Sequence, residues 1–296
     1  MLSILIPVYN FSVVELVTTL HQQADALENI AFEIVIMDDG STAEFKSINR
    51  SIQQLAHIQY VELTQNVGRS AIRNLLATRA AGDYLLFMDC DSEVIDSHYV
   101  ATYVSHLHPQ KLLYGGRVYH ATPPQDKHFY FHWKYGKKRE EITARERQRQ
   151  PYHSFMTNNF LIPKKVFQQI GGFDERLRQY GHEDTVFGLE LQRQEVAIIH
   201  LDNPLIHIGL EQTEVFLQKT QRGVENLKFL AQHYPALETR LLATFRWVRK
   251  LHLQGLISYI FKKIQPRLEE HFQATQPKLF WFDLYKLGLL CSVKAT

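Results

Sequence analysis

The chain has 296 residues, 45% of them hydrophobic and 22% charged, an ordinary globular balance with room for one large core and an extension. A formal net charge of +2 and a pI near 8.4 are too close to neutral for a nucleic-acid binder. Two distant cysteines, Cys90 and Cys291, argue against a disulfide framework and fit a reducing compartment. The N-terminal stretch lacks the basic start and cleavage site of a signal peptide, and no run reaches the roughly 18 apolar residues of a membrane span. A cytoplasmic enzyme is expected.

Strand and helix signals alternate through the first half. Leu2 to Ile6 reads as a buried strand stopped by Pro7. Val13, Leu16, Val17, Leu20, Ala24 and Leu27 then recur at helical spacing. Glu33 to Met37 is a second strand, followed by a helix with Phe45, Ile48, Ile52 and Leu55 on one face. Ile58 to Leu63 is a third strand. A helix from Arg69 to Ala81 turns Ile72, Leu75 and Leu76 inward and stops at Gly82. Tyr84 to Met88 is a fourth strand, running into Asp89-Cys90-Asp91. This alternation predicts an α/β domain with a mostly parallel sheet flanked by helices. Ligands of such sheets bind beyond the carboxyl ends of the strands. Tyr9-Asn10, Asp38-Asp39 and Asp89-Cys90-Asp91 all fall at such ends, so three distant clusters are expected to converge on one edge.

Lys134 to Gln150 is arginine-rich. It reads as a solvated helix or loop, or as a segment over an acceptor site. A helix from Lys164, a short helix carrying Glu183 and Asp184, and strands at Val196 to Leu201 and Leu205 to Ile208 follow. Helical pattern dominates beyond about residue 211, which places a boundary between a domain at 1–210 and a helical extension at 211–296. No acidic residue occurs between Arg240 and Arg267, and Leu253, Leu256, Ile257, Ile260 and Ile264 share a helix face. Two readings stand: this tail packs on the first domain, or it rests as a basic amphipathic surface on an anionic membrane.

Two aspartates at one strand end repel unless a cation or a donor-rich ligand balances them. Mg²⁺ and similar hard cations use one or two carboxylates together with substrate phosphates. Asp91 is read as the metal ligand and Asp89 as a group orienting a ribose or the metal's surroundings. Asp38-Asp39-Gly40-Ser41 suits a turn and helix cap, and the Asp39 carboxylate can in addition accept the N3 hydrogen of a uracil ring.

The ordered set Pro7-Val8-Tyr9-Asn10, Asp38-Asp39-Gly40-Ser41, Asn66-Val67-Gly68-Arg69, Asp89-Cys90-Asp91, Gly171-Gly172-Phe173-Asp174-Glu175 and Glu183-Asp184 resembles family 2 glycosyltransferases, inverting enzymes with the GT-A fold. The resemblance covers about residues 1 to 210. It implies a base pocket lined by Pro7, Val8, Tyr9 and Asp39, with Asn66, Gly68 and Arg69 near the nucleoside. Asp89, Cys90 and Asp91 match the family's Asp-x-Asp stretch at ribose and metal, the metal being Mn²⁺ or Mg²⁺. Gly115-Gly116 reads either as a close approach for the donor sugar or as a plain turn. Asp184 matches the family's general base and Glu183 an acceptor-orienting residue, although both acids also suit the first turn of a helix. His207 is either a core histidine or a further metal ligand; His153 and His182 are weaker candidates. The implied partners are a nucleotide-sugar donor, which the uracil contact makes a UDP-sugar, and a glycan or lipid-linked acceptor of surface-polysaccharide assembly. A nucleotidyltransferase needs a glycine-rich phosphate loop after the first strand, where Pro7-Val8-Tyr9-Asn10 stands instead, and a dinucleotide fold needs Gly-x-Gly-x-x-Gly there. A non-catalytic sugar-binding relative is the remaining alternative; loss of either acid pair is its expected mark, and both pairs are present.

Overall fold

The computed structural model describes residues 1–177 and 181–293. The chain forms two compact units, each discontinuous in sequence. One comprises Met1–His120, Glu140–Arg178 and Glu183–Gly209; the other comprises Ala121–Arg139, Gln179–His182 and Leu210–Thr296.

The first unit begins β1 (Leu2–Val8), α1 (Val14–Asp25), β2 (Phe32–Asp38), α2 (Ala43–Asn49), β3 (Ile58–Glu62), α3 (Arg69–Arg79) and β4 (Tyr84–Met88). It continues with β5 (Ser92–Glu93), α4 (Tyr99–Ser105), β6 (Leu112–Tyr114) and β7 (Arg117–Val118). After α5 (Tyr130–Tyr135), which belongs to the second unit, come α6 (Ala144–Arg147), β8 (Asn159–Pro163), α7 (Lys164–Gln169), α8 (Glu183–Arg193), β9 (Ile198–His200) and β10 (Leu205–His207). Seven strands form one sheet in the order β3-β2-β1-β4-β8-β6-β9. Its pairs are parallel except around β8, which runs antiparallel to β4 and β6.

Both faces of the sheet are covered, which is why the central strands are apolar without alternation. Ile4, Ile6 and Val8 pack on one side with Leu16, Val17 and Leu20 of α1. Leu5, Val35 and Met37 pack on the other with Ile72 and Leu76 of α3 and with Phe167 and Phe187. Pro7 does not end β1. The Val8 carbonyl accepts from Asp39 N at 2.7 Å, so the preceding residue turns toward β4, where pairing has already stopped at Leu5 and Phe87. A residue without an N–H costs no ladder bond at that point.

Two helix faces differ from the sequence expectation. Ile48 and Leu75 are exposed, at 42% each. On α3 the inward arc is Ile72, Arg73, Leu76 and Ala77, so a guanidinium occupies the place expected for an aliphatic chain. Gly82 is not a left-handed helix cap either. A Cβ there would stand 2.6 Å from Ser3 Oγ and 2.8 Å from the Met1 carbonyl, so glycine is needed for close approach to β1.

The second strand assembly is small and decides the site. β5, β10 and β7 form a three-stranded sheet in that order, so the strand at Leu205 does not extend the main sheet. β10 runs antiparallel to β5, with His207 opposite Ser92, and parallel to β7, with Leu205 opposite Arg117. Asn159 anchors it from the end of β8. Its fully buried amide accepts from Tyr99 OH at 2.6 Å and Tyr103 OH at 2.8 Å, and donates to the carbonyls of Gly116 at 2.9 Å and Asn203 at 3.0 Å. Every polar atom of that side chain is satisfied, as a buried amide requires.

In the second unit, α9 (Thr213–His233), α10 (Arg240–Lys250), α11 (Gln254–Gln273) and α12 (Leu279–Ser292) pack with α5. An aromatic cluster fills the unit: Phe131 stacks on Phe272 at 4.7 Å and meets Phe282 edge-on at 5.1 Å, and Phe216 stacks on Phe282 at 5.7 Å. α12 crosses α11 closely at Gly288, where a Cβ would lie 2.2 Å from the Phe261 ring. The buried face of α11 is Phe261, Leu268 and Phe272, not the predicted row; Leu256 and Ile260 of that row are exposed. Among the described residues no helix is long and apolar enough to cross a membrane.

Candidate active site

The carboxyl ends of β1 and β2 are stapled to the loop that leads into α3. Asn10, in the left-handed region at φ 49°, accepts from Thr42 N at 2.9 Å through its side chain, and its own N–H donates to Ser41 Oγ at 2.8 Å. Asp38 is fully buried and structural. It accepts from Ser41 N at 2.7 Å and from Tyr60 OH at 3.2 Å. Asp39 accepts from Val67 N at 2.7 Å and Gly68 N at 3.2 Å. Burial nevertheless pushes its carboxyl above the usual range, the two backbone donors opposing and Asp38 adding to the rise. Gly40 and Gly68 have φ of 78° and 91°, and a Cβ on Gly40 would meet Asn66 N at 2.9 Å. The Asp38-to-Ser41 and Asn66-to-Arg69 stretches thus pack backbone to backbone.

The structure therefore brings Pro7, Val8, Tyr9, Asp39, Asn66 and Gly68 to one sheet edge. Tyr9 is exposed at 54%, whereas the Val8 side chain lies in the core, which leaves Val8 only its backbone to offer. Cys90 packs partly against the same core. Burial pushes its thiol up, Asp91 and Asp89 push it further, and a Tyr9 backbone hydrogen bond opposes them, so the sulfur stays neutral.

Asp89 lies between two arginines. Arg73 Nη2 donates to its Oδ1 at 2.8 Å and Arg117 Nη2 to its Oδ2 at 3.3 Å. Arg117 also donates to Glu140 at 3.3 Å, and Glu140 accepts from Tyr119 OH. Burial works against the Arg117 charge, but Glu140, Tyr119, Asp89 and Asp91 outweigh it and hold the guanidinium protonated. Arg69 Nη1 donates to Glu183 Oε1 at 3.2 Å. Burial raises the Glu183 carboxyl, yet Arg69 and Arg73 together hold it below its ordinary range. Arg69, Arg73 and Arg117 thereby link the Asp-x-Asp stretch to the start of α8. Asp184, the next residue, accepts from Thr185 N at 2.7 Å and Thr185 Oγ1 at 3.3 Å, which fixes the direction of its carboxylate.

Asp91 and His207 meet because Ser92 and His207 are register partners, a contact closed by Ile208 N donating to the Asp91 carbonyl at 2.9 Å. His207 Nδ1 stands 3.4 Å from Asp91 Oδ1. That oxygen is buried and makes no hydrogen bond of ordinary length among the described residues. Burial raises the Asp91 carboxyl, but His207, Arg117 and Arg69 prevail and hold it well below the usual carboxylate range. A Cβ at Gly209 would lie 2.3 Å from Asp91 Oδ2, so glycine at 209 makes the space in which this carboxylate sits. A buried carboxylate oxygen facing an imidazole nitrogen fits a divalent cation. Among the described residues no cluster of three or more His, Cys, Asp or Glu side chains gathers at one point. Two protein ligands with the balance from phosphate and water is a donor set that Mg²⁺ and Mn²⁺ accept.

Several expected residues take other places. Gly116 has φ 95°, and a Cβ there would meet the Arg147 guanidinium at 2.4 Å, so a buried side chain already accounts for glycine at that turn. Arg147 itself is 4% exposed. It donates to the carbonyls of Gly115 at 3.1 Å and Leu201 at 2.7 Å and to His200 Nδ1 at 3.1 Å. With Glu140, it turns inward from a stretch, 134–150, that is otherwise largely exposed. His182 lies in the second unit and bonds the Gly223 carbonyl at 3.1 Å. Sequence reasoning missed Arg73, Arg117 and Glu140. The one available signal for Arg73 was its fourth-residue spacing from Arg69 on an otherwise apolar arc.

Residues 3–171, more than half the chain, match the family model for glycosyl transferase family 2. This chain belongs to that family. Residues 140–215 also match a model described as the N-terminal domain of galactosyltransferase. Among curated proteins, the transferase is similar to validoxylamine A glucosyltransferase of Streptomyces hygroscopicus subsp. jinggangensis, with 28% identity over 227 residues, 67% of this chain and 53% of that protein. It is also similar to chondroitin synthase of Escherichia coli, with 26% identity over 226 residues, 65% of this chain and 32% of that protein. The chain thus spans about half the length of the first relative and a third of the second. Among solved structures, Staphylococcus aureus TarS 1-349 in complex with UDP aligns with a TM-score of 0.51 and 18% identity over 96% of this chain and 89% of that chain. Mannosyltransferase PcManGT from Pyrobaculum calidifontis, in complex with GDP-Man and Mn²⁺, aligns with a TM-score of 0.52 and 14% identity over 78% of this chain and 64% of that chain. At those identities the structures establish the GT-A fold alone.

Proposed function

We propose that this transferase moves a sugar from a UDP-sugar to a hydroxyl of a glycan or lipid-linked acceptor, with inversion at the anomeric carbon, in cytoplasmic assembly of a surface polysaccharide. The observation that carries the reading is the β5–β10 register. It sets Asp91 against His207, beside the arginine network that reaches Glu183 and the start of α8. A solved relative in complex with UDP and a synthase of a polysaccharide among the relatives support the donor and acceptor classes.

Asp39 accepts from uracil N3–H through lone pairs that the Val67 and Gly68 donors leave over, since each carboxylate oxygen has two. Asp89, clamped by Arg73 and Arg117, orients the ribose. Asp91 and His207 would hold Mn²⁺ or Mg²⁺, which when bound would neutralise charge on the departing diphosphate. Arg69 and Arg117 place further positive charge beside Asp91, where it opposes the repulsion between carboxylate and phosphate. Asp184 takes the proton from the acceptor hydroxyl as that oxygen attacks from the face opposite the leaving group, and one displacement inverts the centre. Glu183, kept ionised by Arg69 and Arg73, orients the acceptor.

Nucleoside diphosphate release from a panel of UDP-sugars and GDP-sugars, with Mn²⁺ and then with Mn²⁺ plus chelator, tests this reading. Release that needs both acceptor and metal is expected. Absence of release from every UDP-sugar, alongside release from GDP-sugars, overturns the uridine assignment; release that is indifferent to chelator overturns the metal assignment.

A further inference from the structure

The second unit carries a surface that the proposed reaction does not use. On α11 the buried side chains Phe261, Leu268 and Phe272 lie on one arc. At 100° per residue, Leu256, Tyr259, Ile260, Lys263 and Arg267 fall on the opposite arc. Leu256, Tyr259 and Ile260 are exposed at 55%, 59% and 46%, and Trp247 of α10 at 62%. Lys263 Nζ lies 4.4 Å from the centre of the Tyr259 ring, so cation and aromatic share one patch. The stretch from Arg240 to Arg267 carries seven Lys and Arg residues and no acid.

Large aliphatic side chains together with Trp, Tyr and a predominantly basic charge, with Arg246 paired to Glu238, are a costly combination in water and a favourable one at a lipid headgroup boundary. There the aliphatic groups leave water, the amphipathic rings span the interface and the cations meet phosphate. A protein partner of ordinary composition meets the apolar half of this surface but not its basic charge, which Lys263 and Arg267 supply on the exposed arc of α11. No described helix is able to span a bilayer, so the contact lies in the plane of the membrane. We propose that the α10–α11 surface docks on an anionic lipid bilayer, with Trp247, Leu256, Tyr259 and Ile260 entering the headgroup region and Lys263 and Arg267 pairing with lipid phosphates. This inference stands apart from the catalytic reading, because none of these residues belongs to the Asp91 site.

Co-sedimentation of the full chain with vesicles tests it. Equimolar phosphatidylglycerol and phosphatidylcholine are compared with phosphatidylcholine alone, at low and high salt. Strong binding to the anionic vesicles only, weakened by salt and accompanied by a blue shift of tryptophan emission, is expected. Lys263→Gln with Arg267→Gln should weaken that binding about 25-fold, at about fivefold for each cation removed. Leu256→Ser with Ile260→Ser should abolish the insertion signal while circular dichroism and UDP release stay unchanged. Equal binding to both vesicle types, or failure to bind either, overturns the proposal. So does a dimer in lipid-free sedimentation that the Leu256 and Ile260 changes dissolve, which would assign the face to a second copy of the chain.

Discussion

Replacing Arg73 with methionine tests whether the interior arginine of α3 is part of the site's framework. The substitution keeps an aliphatic stem near the Phe173 ring, over which the guanidinium sits at 5.5 Å, and removes the guanidinium with its charge and N–H donors. The Arg73 side chain is 4% exposed and that of Asp89 24%, with an N–O separation of 2.8 Å. Opposite charges centred about 4 Å apart attract by about 4 kcal/mol at an effective dielectric constant of 20. Desolvating a nearly buried guanidinium offsets part of this, and a net charged hydrogen bond is worth about 1.5–3 kcal/mol. Because Arg117 still pairs with Asp89, Arg73→Met should cost about 2 kcal/mol, or about 3 °C in Tm at this size. Urea unfolding of the native chain, Arg73→Met, Asp89→Asn and the double variant closes a cycle, and a coupling of about 2 kcal/mol is expected. A coupling within about 0.5 kcal/mol of zero, the spread of independent sites, refutes the argument that these two side chains form a working pair.

Asp184→Asn should bind UDP-sugar normally by calorimetry but lose about 100- to 10,000-fold in turnover; native turnover removes Asp184 as the base. Gly209→Ala drives a Cβ to 2.3 Å from Asp91 Oδ2, so the carboxylate must move, and Mn²⁺-dependent donor affinity should fall at least about tenfold, about 1.4 kcal/mol, while metal-free nucleotide binding persists. His200 supplies a pH test. Burial lowers its pKa from 6.5 to about 4, Arg147 adds to the fall and the Pro151 carbonyl opposes it. Above pH 6.5 its contribution is fully present. As pH falls from 6.5 to 4 the unfolded chain takes up a proton that the folded chain refuses, so stability drops by about 2–3 kcal/mol. Urea titrations across that range should show the native chain losing this much relative to His200→Gln, and parallel profiles for the two proteins would contradict the assignment.

Periodicity alone located β1 to β4 and the helices between them, because a sheet covered on both faces needs apolar strands and one-sided helices wherever they fall. It also put Asp39, Asp89 and Asp91 at strand ends, and the order of the motifs matched the family. Side-chain partners followed a different logic. Arg73 draws no notice in the sequence, although its guanidinium neutralises Asp89, and Arg147 reads as one of a charged run until it fills the space above Gly116. Position in the chain says nothing of such pairings, since the stability of a buried charge depends on what stands a few ångströms away. His207 marks the limit most clearly. Within its own strand it is one more buried residue, as fit for a core as for a ligand. Only the antiparallel register of two short strands, more than a hundred residues apart, sets its imidazole against Asp91.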